Sequence, residues 1–430
     1  MLDTTEHSMN TFARIFPALV LAAPLASAQP ILAQSRFDAD RDGWTTLTDL
    51  GNTFIPVWSA TGGNPDGCIS QTDPDGGFFF FRAPAKFLGD QSAAFGGTLS
   101  FDLRESGNGT LNDPTDILLN GGTLQLYYNT AANPETFRFS RYNIVLSDKA
   151  LWHVGSLAGP LATAAEFQQV LANLTDILIR GEFVSGNETT RLDNVIVRAP
   201  RTELPSSTFD TDTEEWDVIA DAYSPVWSNT GNPGGALRVT DIADGRIWRF
   251  LAPAKFMGDL SSAYGGNLHY DILVSRSDLT IDVDCAIVSE TARLEYNAAF
   301  NPAPNTWHSR SVPLIPTSEW KLNGVIPTAE QFRAVLSAVT QLEINGEYYN
   351  GEDIGQLDNV FFSTTCTGDL NNDGFVDDSD FVTFVGAYNL LDCADPAMPA
   401  GCPADFNSDN LVDDADFVIF IGAYNALVCP

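Results

Sequence analysis

Phe81-Arg-Ala-Pro-Ala-Lys-Phe-Leu-Gly-Asp90 returns as Phe250-Leu-Ala-Pro-Ala-Lys-Phe-Met-Gly-Asp259, and this recurrence decides how the chain is divided. Working outward, Phe37-Asp-Ala-Asp-Arg-Asp-Gly-Trp44 pairs with Phe209-Asp-Thr-Asp-Thr-Glu-Glu-Trp216, and Pro56-Val-Trp58 with Pro225-Val-Trp227. Gly96-Gly-Thr-Leu-Ser-Phe-Asp102 pairs with Gly265-Gly-Asn-Leu-His-Tyr-Asp271. Toward the ends, Leu178-Ile-Arg-Gly-Glu182 pairs with Glu343-Ile-Asn-Gly-Glu347, and Leu192-Asp-Asn-Val195 with Leu357-Asp-Asn-Val360. A repeat this long means one module present twice, over residues 35–198 and 207–363, with 199–206 as a linker.

Each copy consists mostly of short alternating runs broken by Gly, Pro, Asn and Asp. Thr98–Leu103, Thr123–Tyr128 and Asn267–Ile272 have the period of two of half-buried strands. One stretch per copy, Ala164–Leu174 and Ala329–Val339, has helical spacing instead. At ~160 residues a copy can bury a full core. The expected fold is mainly β: two jelly-roll sandwiches, plus a small helical module described below. The recurring segments resemble the laminin B module, also called laminin domain IV. That resemblance implies a galactose-binding-like β-sandwich and a non-catalytic interaction role, with a glycan or an extracellular protein as ligand.

Residues 366–430 have a different grammar. Asp369, Asn371, Asp373, Asp377 and Asp380 fall at positions 1, 3, 5, 9 and 12 of a twelve-residue loop. Asp405, Asn407, Asp409, Asp413 and Asp416 repeat the spacing. A calcium ion takes six to eight oxygens, and such a loop supplies them from alternate side chains plus the position-7 carbonyl, here Phe375 or Leu411. Asn410 stands where glycine is usual, and asparagine tolerates the left-handed turn. After each loop, Phe381, Phe384, Val385 and Tyr388, then Phe417, Phe420, Ile421 and Tyr424, mark the apolar face of a helix. Two loop–helix halves in tandem resemble the dockerin module. The resemblance implies two bound calcium ions and a cohesin-like or other surface protein as docking partner. Residues 366–430 contain no Lys or Arg, whereas dockerins usually present basic residues to cohesin. With nothing to neutralise the aspartates, folding of this module is expected to be coupled to calcium binding.

Cys366 and Cys402 each precede their loop by three residues, while Cys393 and Cys429 each follow theirs by thirteen. The repeat favours Cys366–Cys393 with Cys402–Cys429; the nested arrangement, Cys366–Cys429 with Cys393–Cys402, stays open. Either needs an oxidising compartment. Arg14, the apolar Ile15–Leu25 and then Ala26-Ser-Ala28 read as a signal peptide over residues 1–28, so the chain is expected to be exported. No stretch approaches the ~18 apolar residues of a membrane anchor. A net charge of −34 argues against nucleic acid or anionic membrane as partner.

Six of the eight tryptophans pair between copies: Trp44/Trp216, Trp58/Trp227 and Trp152/Trp320. Shared positions most simply serve a shared core. Trp248 and Trp307 have no tryptophan counterpart and are the candidates for stacking on a ligand. Asp38/Asp210 and Asp193/Asp358 recur at the module ends, either as turn caps or around a structural ion. Cys68 and Cys285 are expected to be buried or bridged. No nucleophile elbow, zinc-protease motif or phosphate loop is present. Two readings follow: a secreted, calcium-dependent, non-catalytic interaction protein, or a polysaccharide-degrading hydrolase or lyase carrying a dockerin.

Overall fold

The computed structural model describes residues 29–107, 115–130, 132–184, 188–242, 245–278, 283–364, 368–371, 376–399, 402–407 and 409–425. The expected signal peptide (1–28), Asp373, Phe375, Cys366 and Cys429 lie outside these residues.

The chain is mainly β, with two antiparallel sheets in each copy. In copy one, the first sheet runs Ser140–Val145, Thr98–Arg104, Thr189–Arg198, Cys68–Thr72, Val57–Ser59, and Ile31–Ser35 also pairs with Thr189–Arg198. The second runs His153–Val154, Gln125–Tyr128, Ile117–Asn120, Asp176–Arg180, Phe79–Arg82, Thr45–Thr48, Thr53–Phe54. Copy two repeats the first order with His308–Pro313, Asn267–Val274, Ile354–Phe362, Gly234–Thr240 and Val226–Gly231. The alternation seen in the sequence becomes the two faces of each strand. Thus Phe79 and Phe81 are buried between the sheets while Phe80 lies on the outer side.

The helical stretches form α1 (Ala164–Leu171) and α2 (Ala329–Leu336), shorter than the periodic runs. Thr163 with Glu166, and Thr328 with Gln331, close capping boxes that set their starts. Phe167, Val170 and Leu171 cover the core of copy one; Phe332, Val335 and Leu336 do the same in copy two. Leu174 and Val339 have left the helix and bridge to Gly89 and Gly258, which orders the Lys-Phe-Leu/Met-Gly-Asp segment against the following strand.

Each copy has its own apolar core, and the C-terminal module a third. The sandwiches also touch. Tyr128 donates to Glu290 at 2.5 Å, the Leu151 amide to the other Glu290 oxygen at 2.7 Å, and Arg36 pairs with Glu215 at 2.7 Å. From the linker, Arg201 donates to the Lys255 carbonyl at 3.1 Å. The C-terminal module contributes α3 (Asp378–Tyr388) and α4 (Asp414–Tyr424).

Candidate calcium loops and ligand-facing edges

The last acid of each twelve-residue loop is fully buried and ties the loop's start to its helix. Asp380 Oδ1 accepts the Leu370 and Asn371 amides at 2.7 and 3.0 Å, and Oδ2 accepts Asp377 N at 3.0 Å. Asp416 repeats this with Phe406, Asn407 and Asp413 at 2.7, 3.1 and 3.0 Å. In the second loop Asp405 accepts the Asp409 and Asn410 amides at 3.1 and 2.9 Å, and Asn410 turns at φ 71° as its side chain allows. Asp405, Asp409 and Asp416 each offer one oxygen, all within 4.8 Å of one another. Two ligands on opposite sides of calcium, each at about 2.4 Å, would be ~4.8 Å apart. The donor set therefore fits one hard cation, with Asn407 and Asp413 beside it. In the first loop Asp369, Asn371 and Asp377 stand at the equivalent places.

α3 and α4 are related by a local two-fold. Phe384 and Phe420 stack at 4.9 Å, Tyr388 donates to Asp414 at 2.5 Å, and Tyr424 donates to Asp378. Only part of the expected apolar face turns inward. Phe384 and Phe420 are buried, but Phe381, Val385 and Phe417 are exposed, as are Val382 and Val418. The small module has room for one contact row between two helices, so the adjacent apolar row is left outside.

The cysteine pairing favoured by the repeat is overturned. Cys393 bonds Cys402, with Cα atoms 5.4 Å apart. After α3 the chain runs back along the second loop, where Cys393 N donates to Asn410 O at 3.1 Å and Val412 N to Leu391 O at 2.8 Å. That return brings Cys393 to the cysteine opening the next unit. Cys68 and Cys285 are free and buried; burial pushes both thiols up.

The tryptophan assignments are also corrected. Trp248 is fully buried against Phe250 at 4.9 Å and offers no face to a ligand. Its ring lies against Gly346, where any Cβ would collide, just as Phe79 lies against Gly181. The glycine of each Ile-x-Gly-Glu turn is the floor for that ring. Trp307 is half-buried. Trp44, Trp216, Trp152 and Trp320 are core residues as expected, but the third shared pair is not. Trp58 is half-buried and Trp227 is 43% exposed. Their indole N–H groups donate to the Phe37 and Phe209 carbonyls at 2.6 and 2.7 Å, which explains why both copies keep them without full burial. Beside them Val57 and Val226 are exposed on an outer strand of the sheet. Sequence reasoning missed this repeated Pro-Val-Trp edge because it treated sharing between copies as a sign of core packing.

Asp193 and Asp358 sit at a register shift in their strands, before Asn194 and Asn359 at φ 51° and 49°. Asp193 accepts the Asn64 and Asn194 amides at 2.6 and 2.7 Å; Asp358 accepts those of Asn232 and Asn359 at 2.6 and 2.8 Å. Burial pushes these carboxyls up to about 7 and about 6 despite the amide bonds. Both therefore act as caps on the turn that crosses the strand.

The laminin B (domain IV) family profile matches residues 80–208 and 249–372, once in each copy. Laminin subunit gamma-2 of Equus caballus is 30% identical over 173 residues, 39% of this chain and 14% of that protein. Laminin subunit alpha-1 of Mus musculus is 29% identical over 135 residues, 30% of this chain and 4% of that one. The chain thus spans a small fraction of these relatives. Among solved structures, the L4b domain of human laminin alpha-2 aligns at 19% identity and a TM-score of 0.32, covering 38% of this chain and 96% of that domain.

Proposed function

The chain belongs to the laminin B (domain IV) family, and from that premise we propose that it is an exported, non-catalytic interaction protein whose C-terminal module anchors it through calcium. The observation carrying this reading is the pairing of two laminin B modules with a tail whose Asp405, Asp409 and Asp416 oxygens converge within 4.8 Å. In the tail, Asp369, Asn371, Asp373, Asp377 and Asp380, then Asp405, Asn407, Asp409, Asp413 and Asp416, hold one calcium each, completed by the Phe375 and Leu411 carbonyls. Calcium relieves the carboxylate repulsion and fixes both helices. The outward row of Phe381, Val382, Phe417 and Val418 is then the docking face. Its lack of Lys and Arg favours an apolar contact with a cohesin-like or other surface protein. No described helix is long and apolar enough to cross a membrane, and in this reading the leader delivers the chain outside the cell.

The sandwiches engage a glycan or extracellular protein through the repeated Pro-Val-Trp edge, with Trp307 as a second partly exposed ring. An outer strand offers backbone hydrogen bonds, and an exposed indole offers a flat apolar face. The deciding experiment is capture of the full chain from an extracellular protein and glycan preparation, with calcium and with chelator. Retention should fall on chelation for partners of the tail, and on Trp58→Ala/Trp227→Ala for partners of the sandwiches. Retention indifferent to both overturns the reading. Release of reducing sugar, lost on mutating one acid pair, replaces it with the hydrolase or lyase.

A further inference from the structure

At one end of copy two, four acids from four different strand ends meet. Asp221 follows Asp217–Ile219, Asp241 follows Gly234–Thr240, Glu347 follows Gln341–Asn345 and Asp353 precedes Ile354–Phe362. The strands belong to both sheets, so the acids close the sandwich across its rim. All four are at least nine-tenths buried, and Asp221, Asp241 and Glu347 bring one oxygen each within 4.8 Å of the others. Asp353 borders the trio: its carbonyl accepts Asp241 N at 3.1 Å and its charge acts on Glu347. At 2% exposure, neither Asp353 carboxylate oxygen has a donor in hydrogen-bonding geometry among the described residues. The Trp248 indole and Tyr348 amide lie near enough to favour its anion without bonding to it.

We propose that Asp221, Asp241, Glu347 and Asp353 bind a calcium ion that holds the two sheets of copy two together at this rim. A buried Asp353 carboxylate with both oxygens unbonded is costly, and Arg276, the cation acting on it, is engaged on the Tyr349 ring at 5.0 Å. A site of carboxylates alone, with no imidazole or thiolate, selects a hard ion. Three oxygens within 4.8 Å of one another can all sit on one calcium shell, whose opposite ligands are ~4.8 Å apart. The contrast with copy one supports the assignment. There Asp49, Asp73, Glu182 and Glu188 occupy the equivalent positions, but Asp49 is exposed and no trio converges among the described residues. Copy one instead buries Arg180 in the turn where copy two has Asn345. A side-chain cation in one module stands where the other takes a metal ion.

The test uses the full chain and terbium as a calcium probe. Trp248 N lies 3.4 Å from Glu347 Oε2, so tryptophan excitation should sensitise terbium emission that calcium displaces. Native mass spectrometry should show one calcium fewer in Asp353→Asn than in the parent. The tail variant Asp380→Ala/Asp416→Ala should keep this ion and the terbium signal while losing its own, so failure of either site is seen separately. Trp248→Phe, the ring that copy one carries as Phe79, should keep the ion and lose most of the emission. Unchanged calcium count in Asp353→Asn overturns the proposal. Should that variant fail to fold, emission undiminished in Trp248→Phe overturns it equally.

Discussion

Copy one carries Arg180 next to Gly181, the floor beneath Phe79; copy two carries Asn345 next to Gly346, the floor beneath Trp248. The backbone is the same, yet the charge balance differs. Arg180 is buried, reaches Asp116 at 3.2 Å, donates to the Glu182 carbonyl and lies 4.7 Å over the Phe183 ring. In copy two the counterpart of Asp116 is Asp284, which has Arg310 at 3.8 Å from another strand. Duplication thus preserved the sandwich while letting each rim settle its acids differently. A buried acid cluster is a physical problem that two modules of one fold have answered in two ways.

The sharpest test of this difference is at the rings. Trp248→Ala should cost about 3–5 kcal/mol, because the cavity opens onto Gly346 and Gly355 and cannot easily refill. Trp227→Ala, at the exposed edge, should cost little. Denaturant unfolding followed by circular dichroism measures both, and equal losses would undo the core-versus-edge assignment.

Next is the buried cation. Arg180→Met should destabilise the chain by about 3 kcal/mol, at the low end of the range for an orphaned buried partner. Asp116 keeps the Thr130 amide and hydroxyl, at 2.8 and 2.6 Å, which limits the loss. A cost below about 1 kcal/mol would mean that Arg180 balances no charge.

The third prediction concerns protons. Burial, followed by the Glu188 charge, pushes Glu105 up to about 7 and Glu182 up to about 8. Unfolded glutamates titrate near 4.3, so between these values the folded copy one binds more protons than the unfolded chain. This contribution is complete below about pH 4 and is lost as pH rises through about 7 to 8. Hydrogen exchange resolved by peptide, corrected for intrinsic rate, should show copy one better protected at pH 5 than at pH 8. Glu182→Gln should flatten the difference; a profile that rises with pH would contradict it.

The smallest effect is a control in which the copies should agree. Thr163→Ala and Thr328→Ala each remove the hydroxyl of a capping box and should each cost about 1 kcal/mol. Unequal losses in thermal melts would show that the copies differ in their helices as well as at the rim.

Much of this architecture could be read from local pattern. Alternation gave the strands Thr98–Arg104 and Asn267–Val274, and 3.6-residue spacing gave α1 and α2. Period and capping are local physics, so they survive any tertiary arrangement. The repeat likewise divided the chain, and the family profile falls once in each copy. Trp58 and Trp227 were misplaced because retention marks a need without saying which one. Here the need is a hydrogen bond to a neighbouring carbonyl on an outer strand. Trp248 was misplaced for the opposite reason: an unshared residue looked free for function, whereas it fills the space above a glycine.

By itself the sequence determined which segments read as strands, helices, turns and oxygen-rich loops, since each depends on residues within about one turn or one hairpin. Only the tertiary structure decided that Cys393 meets Cys402 and that Trp227 faces outward. It also brought together Asp221, Asp241, Glu347 and Asp353, spread over more than 130 positions, at one rim. These outcomes depend on which strand ends the sandwich stacks together, a long-range choice set by packing both sheets around one core. No spacing rule along the chain encodes it.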